Sequence, residues 1–238
     1  MTPGLVQYIP LATTALALAF SAALFRRLRA RGGLHLLWWA IGALTYALGT
    51  ITESATTLFG WHEPVFRLWY VTGALLGGAP LAQGSVYLHL RVRTAHRLTA
   101  ALVTVVAVAA TCVWLSPINY ALVEAHRLTG KVLVWTWVRA FSPFINTYAF
   151  IFLVGSAAWS AWRYRGRRET RGRFIGNGLI ATGALLPGIG GSFTRFGHTE
   201  VLYVTEFIGI VLIFLGYRLA THRPGEVPYV VDAVPAMS

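Results

Sequence analysis

Three residue types are almost missing from this chain, and each absence closes off chemistry. Cysteine occurs once, at Cys112, so no disulfide framework and no thiolate metal site can form. Lysine occurs once, at Lys131, and aspartate once, at Asp232 near the C-terminus. Charged residues make up only 12% of the 238 positions, about half of what a soluble globular protein carries. Scarce lysine with abundant arginine is the composition of a high-GC bacterial source.

Long apolar runs fill the space that charge leaves. Hydrophobic residues account for 56% of the chain and the mean hydropathy is +0.60. About 20 largely apolar residues cover the hydrocarbon core of a bilayer as a helix, and lipid admits few other backbone solutions. Seven such runs are read near 5–26, 34–58, 64–90, 97–116, 139–162, 173–195 and 200–220. They show no two-residue alternation, so they are not strands of a barrel. The expectation is an all-α, seven-transmembrane-helix bundle forming one domain over 1–220. A short Pro- and Val-rich tail, 221–238, is expected to be disordered. It is too short for a kinase or cyclase domain, and residues 1–25 lack the basic start of a cleavable signal.

Basic residues set the expected orientation. Arg26, Arg27, Arg29 and Arg31 follow span one; Arg91, Arg93 and Arg97 follow span three. Arg163, Arg165, Arg167, Arg168, Arg171 and Arg173 follow span five, and Arg218 and Arg223 follow span seven. Those fifteen of the twenty bases share one side, leaving Arg67, Arg127, Lys131, Arg139 and Arg195 on the other. The positive-inside rule places the N-terminus outside and the C-terminus in the cytoplasm. The whole net charge of +12 then falls on the cytoplasmic face, toward the anionic headgroups of a bacterial cytoplasmic membrane. That account displaces a nucleic-acid partner as the reason for a basic chain.

Short matches suggest an internal repeat. Gly42-Ala43-Leu44 with Gly49 in span two corresponds to Gly183-Ala184-Leu185 with Gly190 in span six. Tyr70-Val71-Thr72 and Tyr203-Val204-Thr205 follow in the next spans. Spans one to three and five to seven would then be parallel repeats joined by span four, a plan used by transporters. Gly, Ala and Leu dominate these runs, so chance also produces such matches. Span three carries Gly73, Gly77, Gly78, Pro80 and Gly84; span six carries Gly183, Pro187, Gly188, Gly190 and Gly191. Small residues permit close helix packing, and interior prolines kink helices and free carbonyls toward a cavity.

The candidate site is a polar group of residues in the outer half of the bundle. Glu53 and Glu206 lie inside spans two and seven, while Arg67, Arg139 and Arg195 stand at outer span ends. Charge inside a bilayer is costly, so it pairs or lines water. Helical spacing sets Tyr46, Thr50 and Thr57 around Glu53, and Tyr203 and Ile210 around Glu206. It also aligns Arg139 with Pro143 and Asn146, and Arg67 with Tyr70. The expected ligand- or ion-binding set is Glu53, Arg67, Tyr70, Arg139, Asn146, Tyr203 and Glu206. The opposing reading is an ion-pair network that locks the helix ends, with Arg67 and Arg195 reaching for headgroups.

The outer segment 117–138 is expected to form a hairpin, Asn119 to His126 and Lys131 to Val138 flanking Arg127-Leu128-Thr129-Gly130. It would cap the bundle's mouth, or Trp135 and Trp137 would join Trp61, Trp69 and Trp114 in an interfacial belt.

Sharper chemistries find little support. Seven spans with an outer N-terminus is also the topology of retinal proteins, but span seven has no lysine for covalent retinal. Neither HExxH nor a nucleophile elbow is present, and no catalytic set emerges. Bis-histidine haem would need facing imidazoles; His35 and His89, at similar depth on neighbouring spans, are the pair that fits, although histidines at helix ends are commonly solvated. Two function classes remain. One is a transporter of a small polar solute, ion or proton. The other is a receptor-like or accessory subunit that binds an extracytoplasmic ligand and acts through a protein partner or a second copy, docking by Arg163 to Arg173.

Overall fold

The computed structural model describes residues 5–166, 168–194 and 196–221. Arg167, Arg195 and the tail from 222, which includes Arg223, Glu226 and Asp232, lie outside the described residues. Seven helices are long and apolar enough to cross a membrane: α1 (Val6–Arg31), α2 (Leu34–Phe59), α3 (Glu63–His89), α4 (Val92–Leu115), α5 (Thr136–Tyr164), α6 (Arg171–Thr194) and α7 (Thr199–Thr221). Among the described residues there is no strand.

Two helices run further into the arginine-rich end than hydropathy suggests. α1 continues to Arg31 and α4 starts at Val92, five residues beyond the expected limits. Arginine is a good helix former, so charge marks the edge of the hydrocarbon and not the end of the helix. Gly32 and Gly33 end α1, with φ of 67° and 106° that L side chains rarely adopt. Arg27, in the last turns of α1, lies 5.5 Å from the centre of the Tyr217 ring, a cation–π contact between α1 and α7.

Helix neighbours run α1–α2–α3–α5–α6–α7 and back to α1, closing a six-helix ring. α4 stands outside the ring against α3 and α5, and is the least buried helix. Two apolar clusters form within this arrangement. One joins α1, α2 and α7 through Phe20, Leu24, Ala40, Ala43, Ile210 and Tyr217. The other joins α3, α4, α5 and the 117–138 loop through Phe66, Leu75, Val113, Leu133 and Val138.

α6 and α7 make the most extensive helix pair, and glycine explains it. A Cβ on Gly176 would meet the Gly216 carbonyl oxygen at 2.5 Å, and one on Gly183 would meet that of Gly209 at 2.6 Å. One on Gly190 would stand 2.8 Å from Leu202 Cα. Three glycines spaced by seven thus lay one bare stripe of α6 against α7, backbone to backbone.

Both α3 and α5 depart from α geometry at mid-length. Tyr70–Leu76 and Phe150–Gly155 are π-helical, a form that clusters at functional sites. In α3 the π segment ends at Gly77, whose φ is 41°, and the helix restarts at Ala79 with Pro80 in its first turn. The Gly77-Gly78-Ala79-Pro80 sequence therefore interrupts α3 in its middle, as Pro80 suggested. Pro187 instead stays within a continuous α6.

The 117–138 loop folds back antiparallel, but with isolated bridges at Ile118–Leu133 and Glu124–Arg127 in place of the expected strands. Asn119 N donates to Val132 O at 2.8 Å and Val134 N to Pro117 O at 3.0 Å. Three-residue 3-10 turns at Tyr120–Leu122 and Gly130–Val132 take up the residues that a longer ladder would have used.

Candidate functional site

A cavity of about 700 Å³ opens between α2, α3, α5, α6, α7 and the 117–138 loop. Glu53 and Glu206 stand within it. Glu53 is six residues from the end of α2 and Glu206 seven from the start of α7, so both lie on the order of 10 Å below the loop-side helix ends. Their carboxyl groups adjoin each other. Oε1 of Glu53 accepts from the Trp69 indole N–H at 3.0 Å. Oε2 of Glu53 and Oε2 of Glu206 are buried with no donor facing them. Tyr46 donates its hydroxyl to the Glu206 backbone carbonyl at 2.9 Å, tying α2 to α7 at this level.

No Lys or Arg among the described residues forms an ion pair with either acid. Two ionised carboxylates side by side repel; a shared proton or a bound cation turns the contact into attraction. Glu53 is only 3% exposed, and burial sharpens that contrast because water is not there to screen it. The pair is thus chemically incomplete until a proton, cation or cationic group joins it.

Arg127, Lys131 and Arg139 line the cavity nearer its loop-side end. Arg127 Nη1 donates to Glu124 Oε1 at 3.1 Å, and Nη2 to the Thr194 carbonyl at 3.2 Å, which binds the loop to α6. Its Nε is buried and unpartnered, as is Thr199 Oγ1, another lining group. Buried polar atoms without partners are rare. Five of them, on Glu53, Glu206, Arg127, Ser142 and Thr199, converge on one cavity.

Six of the seven residues expected from the sequence line this space. Besides Glu53 and Glu206 these are Tyr70, Arg139, Asn146 and Tyr203. Tyr70 and Tyr203 are buried wall residues, 4% and 5% exposed. Asn146 Nδ2 donates to the Ala74 carbonyl at 3.2 Å, meeting backbone at the interrupted turn of α3. Its Oδ1 would lie 2.9 Å from any Cβ on Gly77.

Arg67 is elsewhere. It pairs with Glu63 at 2.6 Å and donates to the carbonyls of Val113 and Ser116 at the end of α4. Its guanidinium lies 5.9 Å from the Trp114 ring centre. Glu63 also accepts from the Tyr120 hydroxyl at 2.5 Å. Arg67 thus fastens α3, α4 and the loop together, away from the two acids. Arg195 lies outside the described residues.

Sequence reading missed Trp69 and Arg127 as site residues. Trp69 counts as a belt tryptophan until its indole, a donor only, is seen facing Glu53. Arg127 reads as a turn residue because nothing local shows that the turn folds inward. A buried network below the cavity was also missed. Gln83, fully buried, accepts from Tyr148 at 2.5 Å and donates to Thr99 Oγ1 at 2.7 Å. Tyr87 continues it to Thr99 and to His96 Nδ1 at 2.8 Å. This chain joins α3, α4 and α5 on the arginine side of an apolar floor made by Leu81, Leu153 and Ile213.

His89 bonds through its ring nitrogens to Ser85 O at 2.9 Å and Ser160 Oγ at 3.3 Å, and His35 packs edge-on against Trp39. No three His, Cys, Asp or Glu side chains among the described residues converge as metal ligands.

Comparison with protein-family models and with curated proteins finds no match to this sequence.

Proposed function

We propose that this chain is a transporter of a small polar solute or ion, integral to a bacterial cytoplasmic membrane, with Glu53 and Glu206 as its coupling site. The observation that carries the reading is the adjoining carboxyl pair, buried and short of donors, on the wall of a cavity between two packing units. Protonation of such a pair is a charge change placed where it alters what the cavity holds. Orientation follows the arginines: the 117–138 loop faces outside, and the N-terminus with it, while Arg163 to Arg173 face the cytoplasm. The cavity then opens outward above an apolar floor.

Movement is expected between the α1–α2–α7 unit and the α3–α4–α5 unit, with α6 carried by its glycine seam to α7. That division differs from the sequence repeat, which would group spans one to three against five to seven. Support for the repeat comes from one structural parallel: Gly49 faces Thr72 and Gly73, and Gly190 faces Leu202 and Thr205. The proposal does not depend on it.

A second reading, a receptor-like or accessory subunit, is favoured by the exposed arginines Arg163, Arg165, Arg171 and Arg173, which could dock a protein partner as well as anionic headgroups. Purified protein in sealed liposomes with an imposed pH gradient separates the two. Proton or solute flux that Glu206→Gln abolishes supports transport. Tight liposomes with no flux, and a protein that co-purifies through the Arg163–Arg173 linker, would support the second.

A further inference from the structure

The cavity wall carries charge of both signs at two levels. At the deeper level stand Glu53 and Glu206, among the rings of Tyr46, Trp69, Tyr70 and Tyr203. That is a seat for a cationic nitrogen, which gains from carboxylates and from aromatic faces together. Nearer the loop stand Arg139, Arg127 and Lys131. Arg139 is exposed and has no ion-pair partner among the described residues. Arg127 leaves its buried Nε unused.

A purely cationic ligand would complete the acids and leave Arg139 without an ion-pair partner and the buried Arg127 Nε unused. A purely anionic one would meet Arg139 and Arg127 and leave the two carboxyl groups to a shared proton, with the aromatic rings around them unused. Neither fits both levels.

We propose that the cavity takes an amphoteric solute, an amine and an anionic group separated by several bonds. Its amine sits against Glu53 and Glu206, and its anionic group lies at Arg139 with Arg127 behind it. Arg139 is three residues inside the start of α5, whereas Glu53 is six inside the end of α2. The axial rise between them is on the order of 5 Å, before any offset across the cavity. A solute whose charged groups stand several bonds apart, such as an ω-amino acid, matches that separation better than an α-amino acid. This inference rests on the cavity being the substrate site of the transporter proposed above.

The test is calorimetric binding of four probes to the detergent-purified full chain: ε-aminocaproate, n-hexylamine, caproate and glycine. The amphoteric probe is expected to bind at least about tenfold tighter than each of the others. Glu206→Gln should weaken ε-aminocaproate and hexylamine while sparing caproate. Arg139→Gln, at an exposed position, should weaken ε-aminocaproate and caproate while sparing hexylamine. Equal binding by a singly charged probe or by glycine, or no binding by any of the four, overturns the inference. Proteoliposome uptake of ε-aminocaproate separates this from the transport reading. Selective binding without uptake upholds the ligand class and sinks transport. Proton-driven flux of another solute, without ε-aminocaproate selectivity, upholds transport and sinks the ligand class.

Discussion

At the scale of single residues, the acids and bases toward the 117–138 loop divide into two groups. Glu206→Gln keeps the side chain's shape and a hydrogen-bonding amide but removes its charge and proton. Unchanged thermal stability with loss of pH-dependent flux is expected, read by thermal unfolding and liposome assays on the same preparation. Arg67→Ala should do the reverse. It leaves the carbonyls of Val113 and Ser116 without their donor and Glu63 with Tyr120 alone, and should cost about 2–4 kcal/mol of stability with ligand affinity intact; chemical denaturation beside calorimetry checks both. The hydrogen bond to Glu63 pushes the exposed Tyr120 phenol above its ordinary value of 10.0. Because the neutral phenol is the donor, the Tyr120–Glu63 contact is fully present below the ordinary value, persists past it, and is lost only as pH rises through the raised one. Spectrophotometric titration of the chain against Tyr120→Phe should show one tyrosine ionising late. Spacing along helices was enough to gather Glu53, Tyr203, Glu206, Arg139 and Asn146. It could not divide the bases, because which carboxylate an arginine reaches depends on helices far away in sequence. Arg67 looks the same as Arg139 until α4 supplies its carbonyls.

At the scale of the helix, hydropathy located all seven spans, and the disagreements cluster where hydropathy has no bearing on backbone geometry. The arginine-bearing turns of α1 and α4 are helical but not apolar, and the π segments are apolar but not α. A window average cannot register either. Glycine carries the packing information better. Gly183→Ala should place a methyl against the Gly209 carbonyl and destabilise the α6–α7 pair by about 1–3 kcal/mol. Gly178→Ala lies on the same helix with nothing within 4 Å of the new Cβ. It should gain up to about 1 kcal/mol from helix propensity. Thermal midpoints that move in opposite directions support the glycine seam; two equal losses would mean that both glycines matter only as flexible points.

For the molecule as a whole, sidedness is the property from which the rest of the functional reading hangs. In a Cys112→Ala background, single cysteines at Ala125 and Glu169 should label oppositely with a membrane-impermeant maleimide on intact cells. Ala125→Cys is expected to react and Glu169→Cys only after lysis. The reverse pattern would turn the cavity toward the cytoplasm. The π segments bear on the molecule in another way. A π turn takes one residue more than an α turn, so it absorbs an extra residue while the helix on either side keeps its faces. In α5, losing one residue from Phe150–Gly155 would let that turn relax to α geometry with Ala157 still on its present face. The same loss elsewhere in the helix would swing everything beyond by about 100°. The π segment of α5 is thus the place where the helix can change length without turning.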